Sequence, residues 1–145
     1  MVFDTPPIDF QPKFEVVGCF MEHDGDILLL QRNDDKSEGG RWGIPGGKRG
    51  PGETLAQALV REIKEETGVT ILESELQYHQ PILVRHTLHD FTYHIFSTVL
   101  RSRPEITLSP LEHQAQQWTT PAHALKLNLV TDKNACIKIR YGIEA

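Results

Sequence analysis

Three glutamates in mid-chain, Glu62, Glu65 and Glu66, are spaced to crowd one another on a helix, and Glu53 lies just upstream. At 3.6 residues per turn, Glu62 and Glu66 lie one above the other with Glu65 beside them. Like charges at that spacing oppose helix formation. They also fall in the C-terminal half of the helix, where the macrodipole disfavours negative charge. A purely structural helix gains nothing from this arrangement. A hard divalent cation does, because Mg²⁺ favours a few carboxylates combined with waters and substrate phosphates. The plain alternative is a solvated acidic face offset by Arg61 and Lys64.

The elements that must position these acids are clearly marked. Thr54 with Gln57 three residues on forms a capping box, and Gly68 sits where a left-handed C-cap belongs, which predicts a helix from Leu55 to Thr67. Leu55, Ala56, Leu59, Val60 and Ile63 make a broad apolar stripe beside the carboxylates. The acids are therefore expected at the border of the core, neither fully solvated nor buried. Ahead of the helix runs the glycine-rich stretch "NDDKSEGGRWGIPGGKRGPGE". A loop of that length is uncommon unless it is functional or disordered. Glycines at 46, 47, 50 and 52 are expected to let the backbone take unusual angles and approach a metal and phosphates closely.

The spacing from Gly47 through Glu53 to "REIKEETGV" resembles the Nudix box, G-x5-E-x7-R-E-U-x-E-E-x-G-U, with U a bulky aliphatic. Every defined position is filled: Gly47, Glu53, Arg61, Glu62, Ile63, Glu65, Glu66, Gly68 and Val69. The "WGIPGG" lead-in and the strand order extend the resemblance more loosely from Phe14 onward. The resemblance implies a hydrolase of nucleoside diphosphates linked to another group, using Mg²⁺ or Mn²⁺ and an activated water. It implies that Glu62, Glu65 and Glu66 hold metal, Glu66 most critically, with the backbone carbonyl of Gly46 as a further ligand. It also implies an ion pair between Glu53 and Arg61 that props the loop against the helix. The chemistry agrees: cleaving a phosphoanhydride needs charge neutralised on phosphate oxygens and a water presented in line, and metals held by carboxylates do both.

Outside the box the pattern thins. Glu112 precedes Trp118 in "LEHQAQQWTT", a spacing that resembles the loop carboxylate of the oxidised-nucleotide-sanitising branch of the family. It is either that carboxylate, and so a ligand or general base, or a surface glutamate. Asp90 and Glu105 are weaker rivals. Lys48 and Arg49 beside the glycines, and Arg32 at a strand end, could reach phosphates or stand as solvated cations. Trp42 and Phe91 could stack on a base, although packing is the plainer role. His86, His89 and His94 lack a standard ligand spacing for zinc. The family's downstream marks, a proline for ADP-ribose and a tyrosine for diadenosine polyphosphates, would fall around Arg85 to Thr87 and are absent. By elimination a nucleoside triphosphate or a small nucleoside-diphosphate conjugate is favoured.

The 145 residues suit one domain with a real core, and a net charge of −5 argues against bulk nucleic-acid binding. Cys19 and Cys136 form no disulfide framework or zinc spacing. Residues 1–13 read as an arm or edge segment and 14–145 as a single domain. "KFEVVGCFME", "ILLLQR", "PILVRH", "FTYHIFSTVL" and "QQWTT" read as strands, "PAHAL" as a helical turn, and "TDKNACIKIRY" as a helix ended by Gly142. Strands out of strict β-α alternation point to an α/β (α+β) fold, a mixed β-sheet with helices on both faces. The resemblance implies the same α/β/α sandwich. No apolar run reaches membrane length and no leader is evident, so the expectation is a cytoplasmic monomer or homodimer acting on a small-molecule nucleotide. Two other readings stand beside the hydrolase. An isoprenoid-diphosphate isomerase would need Cys and Glu residues that find no match. A non-catalytic ligand-sensing or scaffold domain commonly loses box acids, and none is lost here.

Overall fold

The computed structural model describes residues 1–87 and 89–143. Its strands are β1 (Val2–Phe3), β2 (Pro12–His23), β3 (Asp26–Arg32), β4 (Trp42–Gly43), β5 (Gly46–Lys48), β6 (Gln77–Arg85), β7 (Asp90–Val99) and β8 (His113–Thr119). Its helices are α1 (Leu55–Thr67), α2 (Pro121–Ala124) and α3 (Lys133–Tyr141), with a 3-10 turn at Glu73–Glu75. The strands form one sheet in the order β1-β6-β7-β2-β3-β4, with β5 on β2 and β8 on β3. The β2–β7 pairing is parallel, whereas β2–β3, β6–β7 and β3–β8 are antiparallel, so the sheet is mixed.

Side chains alternate across this sheet and feed two cores. Val17, Cys19 and Met21 of β2 with Leu28 and Leu30 of β3 face α1, meeting Leu59 and Ile63. Phe20, Ile27 and Leu29 point the other way and pack with Cys136 and Ile137 of α3. The continuous apolar run in "ILLLQR" follows from this, because both faces of β3 are buried. The result is the α/β/α layering expected from the sequence.

The α1 boundaries are those the caps predict. The Thr54 hydroxyl accepts from the Gln57 amide, the Gln57 side chain accepts from the Thr54 amide, and Gly68 adopts φ +76. The glycine-rich stretch is less irregular than its composition suggests. It contributes β4 and β5, and β5 docks antiparallel on β2 with Gly18 opposite Gly46. Residues before Pro12 supply an edge strand, since Val2 and Phe3 pair with Val84 and Leu83.

Candidate active site

Glu66 is the buried member of the acidic row. It is 4% exposed, and both its carboxylate oxygens accept from the Gly46 amide, at 3.2 and 3.3 Å. Burial pushes its carboxyl well above the usual carboxylate range. The Gly46 hydrogen bond opposes the shift, and the charges of Glu62, Glu112 and Glu65 add to it. Burial also raises Glu62, against the pull of Arg61. Glu65 is exposed. The expectation of three acids alike at the border of the core is thus corrected to a gradient. One turn of helix carries the row from the interior side of β5 out to water.

Two glycines owe their identity to space and not to backbone angle. A Cβ at Gly47 would stand 2.5 Å from the Glu62 carboxyl carbon, and one at Gly46 would stand 2.1 Å from the Val17 carbonyl oxygen. Of the four loop glycines singled out, only Gly52 takes a positive φ. β5 must press against both β2 and α1: a side chain at Gly47 would push Glu62 away, and one at Gly46 would lift β5 off β2.

Arg61 ties that loop to the helix. Its Nε and Nη2 donate to the two oxygens of Glu53 at 2.7 and 2.8 Å, and Nη2 also reaches the Lys48 carbonyl at 3.2 Å. Nη1 donates to Glu62 at 2.9 Å. The Arg61 guanidinium and the Gly50 amide hold the Glu53 carboxyl down at about 2. This bidentate geometry is the strong form of an ion pair.

Among the described residues, one group of three potential metal ligands comes together. An oxygen each of Glu66 and Glu112 and a ring nitrogen of His113 lie within 4.8 Å of one another. Glu112 is exposed, on the loop that leads into β8. His113 is buried, and burial holds its imidazole below the ordinary histidine value. The concentration of carboxylates, with Arg61 as the nearby cation already bound, suits a hard divalent ion. The sequence pattern gave His113 no signal, because periodicity alone does not show which face of β8 it occupies.

These residues line one wall of a cleft of about 430 Å³, a size ordinary for a small-molecule site. Gly46, Gly47, Glu62, Glu66, Glu112 and Arg32 are among its lining residues. Val16, Val84, Phe91, Tyr93 and Val130 also line it, beside the acids Glu38 and Asp132, and Lys36 and Lys133 add cations that carry no signal in the sequence pattern. The Lys133 ammonium donates to the Tyr93 hydroxyl at 2.7 Å.

Several expected contacts lie elsewhere. Lys48 stands over the Phe14 ring at 4.2 Å, and Arg49 pairs with Glu15 at 2.6 Å; neither lines the cleft, because pairing with β2 turns this end of β5 outward. Asp90 is bound to Arg85 at 2.8 Å, Glu105 is exposed, and both stand outside the cleft. Phe91 lines the cleft and stacks on Phe14, whereas Trp42 packs against the α3-side core. His94 bonds to Tyr78 and Glu15, apart from the neighbouring pair His86 and His89.

Comparison with known proteins agrees with this geometry. A sequence model of the NUDIX domain matches residues 12–138. The CTP pyrophosphohydrolase of Escherichia coli (strain K12) is 37% identical over 118 residues, covering 79% of this chain and 82% of that protein. The E. coli ORF135 protein, solved in solution, is 28% identical with a TM-score of 0.74, covering 97% of this chain and 99% of its own. The MutT protein from Methanosarcina mazei Go1 shares the fold, with a TM-score of 0.76 over 94% of this chain and 96% of its own at 23% identity. A match that runs from the start of β2 into the last helix leaves no large part of the chain outside it, and the protein belongs to the Nudix family as a hydrolase of phosphorus-containing anhydrides.

Proposed function

We propose that this chain hydrolyses nucleoside triphosphates to nucleoside monophosphate and pyrophosphate, with Mg²⁺ or Mn²⁺ as cofactor and CTP the first substrate to test. The observation that carries this reading is the mixed lining of the cleft. Glu62, Glu66 and Glu112 line the same cavity as Val84, Phe91 and Val130, so carboxylates for a cation and apolar and aromatic groups for a base share one cleft. The relative named as a CTP pyrophosphohydrolase supports the choice of nucleotide. The family-model match supports reading 14–145 as one hydrolase domain, with 1–13 as an arm along the β6 edge.

In this reading Glu66, Glu62, Glu65 and Glu112 hold the cation, together with the Gly46 carbonyl. A bound divalent cation neutralises charge on the phosphate oxygens and lowers the pKa of an attacking water. Glu66 is the anchor, because the Gly46 amide fixes both its oxygens. Glu112, exposed at the mouth of the site, takes the proton of the water as general base. Arg32 receives the phosphate chain. Arg61 and Glu53 touch no substrate; they hold the glycine loop at the height that keeps Glu62 and Glu66 aimed into the cleft. Lys48 and Arg49 reach phosphate only if they leave Phe14 and Glu15.

The partner is a small nucleotide, bound by a monomer or homodimer with no bulk nucleic-acid surface. No helix among the described residues is long and apolar enough to cross a membrane. Both cysteines are free and buried, which supports a cytoplasmic setting. The test is a panel of nucleoside triphosphates and diphosphate conjugates with Mg²⁺, with both products separated. Monophosphate plus pyrophosphate is expected from a triphosphate. Diphosphate plus orthophosphate, or no turnover of any triphosphate, would overturn the reading.

A further inference from the structure

We propose that His113 is a nitrogen ligand of the divalent-cation site, making it a mixed nitrogen–oxygen centre that discriminates in favour of Mn²⁺ over Mg²⁺. The inference rests on the reading of Glu66 and Glu112 as cation ligands and goes beyond the box carboxylates.

Two independent observations point to it. One ring nitrogen of His113 lies within 4.8 Å of carboxylate oxygens of both Glu66 and Glu112, close enough for the three to share an ion. His113 is only 8% exposed, and its Nδ1 is buried without a hydrogen-bond partner. Buried polar side-chain atoms are nearly always paired, so a histidine ring that meets two carboxylates and carries an orphan nitrogen points to a missing partner. A cation shared with the two carboxylates would be such a partner for the ring.

The backbone explains how the histidine reaches this position. β3 and β8 pair regularly from Ile27–Thr119 to Gln31–Ala115, after which the register shifts and Arg32 pairs with His113. Gln114 is the extra residue, and its side chain is held outward by Asp34 and Gln31. A one-residue bulge moves the next side chain to the opposite face of the sheet. In unbroken alternation His113 would share a face with Ala115 and point away from α1. With the bulge it shares the face of Leu30, which packs toward α1, and so meets Glu66. Bulges often serve to re-aim a side chain beside an active site.

The chemical consequence is selectivity. Mg²⁺ takes oxygen ligands in a strict octahedron and sheds water reluctantly, whereas Mn²⁺, although the weakest nitrogen binder of the first-row divalent ions, accepts an imidazole beside carboxylates more readily than Mg²⁺ does. The test uses metal-free protein and Mn²⁺ alone, without nucleotide, so it does not depend on turnover. Pulsed electron paramagnetic resonance of the Mn²⁺-loaded wild-type protein should show modulation from one directly bound ¹⁴N, lost in His113→Asn. By calorimetry, His113→Asn should weaken Mn²⁺ binding about 10- to 100-fold, the range for losing one well-placed metal-site partner. Its Mg²⁺ affinity should change far less. Glu66→Gln should remove Mn²⁺ binding in both readings. If Glu66→Gln abolishes binding while the wild-type signal carries no ¹⁴N coupling, the histidine ligand is overturned and the carboxylate site stands. If Mn²⁺ binds Glu66→Gln as it binds wild type, the carboxylate site itself is wrong. The spectrum is read on the unmutated protein, so poor folding of a variant leaves the result intact.

Discussion

Two arginines in this molecule make almost the same structure and serve different ends. Arg61 grips both oxygens of Glu53, and the Gly50 amide adds a third bond to that carboxylate. Arg85 grips both oxygens of Asp90, and the Gln11 amide adds the third. Each carboxyl is held down to about 2, by its arginine first and by the backbone amide second. The exposures are also alike, with Arg61 at 37% and Arg85 at 34%. What differs is the neighbourhood. Arg85 joins Asp90 and Asp9 where the N-terminal segment runs along the sheet edge. Arg61 also holds Glu62 and stands beside Glu65, next to the buried Glu66. One pair closes a fold edge. The other stands beside Glu66 and Glu112, which pair with no cation among the described residues, and it is that surplus, more than the ion pair, that marks the chemistry.

The contrast is sharpened most by removing the surplus. Glu66→Gln keeps size and relieves crowding, so the fold should hold or gain slightly while kcat falls on the order of 10³-fold or more. Near-wild-type turnover in this variant would end the metal-site reading. Glu112→Gln should come next, with kcat lowered about 10- to 10³-fold and KM little changed. Glu105→Gln, prepared alongside, should be silent. An unchanged rate for Glu112→Gln across pH 6 to 9 would return that residue to the surface and leave a box glutamate to activate water, with Glu65 the first to test.

The pairs themselves should then separate cleanly. Arg61→Ala should lower both activity and melting temperature, and combining it with Glu53→Gln should cost less than the sum of the two, as expected of residues in direct contact. Strict additivity would mean that the bidentate pair does nothing for the loop. Arg85→Ala should lower melting temperature and leave kcat and KM at wild-type values. A loss of activity there would break the comparison.

The smallest effect is a pH signature at the edge. The Asp90 carboxyl lies at about 2 in the folded chain against an ordinary 3.8. A depressed carboxylate stabilises the fold above its unfolded value, and that contribution is lost as pH falls through the folded one. Asp90→Asn should therefore be less stable than wild type near neutrality, and the gap should narrow as pH drops from about 4 toward 2. A gap that stays constant through this range, followed by chemical denaturation, would show that the pair adds nothing to stability.

Much of this was legible in local pattern, because the signals are short-range. Thr54, Gln57 and Gly68 delimit α1 through bonds spanning three or four residues, and the runs of β2, β3, β6 and β7 announce themselves by composition. Contacts distant in sequence were not legible. Lys48 and Arg49 read equally as phosphate contacts or solvated cations, because their directions depend on where β5 docks against β2. Glu65 and Glu66 are adjacent in sequence and differ in burial because only one faces β5.

By itself, then, the sequence determined the ends of the central helix, the carboxylate row and the box pattern, and the family resemblance in that pattern implied the pairing of Glu53 with Arg61. Each rests on residue type and near spacing, which the chain carries before it folds. Only tertiary structure decided that Glu66 is the buried acid, that Gly46 and Gly47 are glycines for want of room, and that His113 joins Glu112 at the site. Those outcomes follow from strand register and from a single bulged residue at Gln114. A shift of one residue in a strand reverses every side chain beyond it, and no local pattern in β8 records that shift.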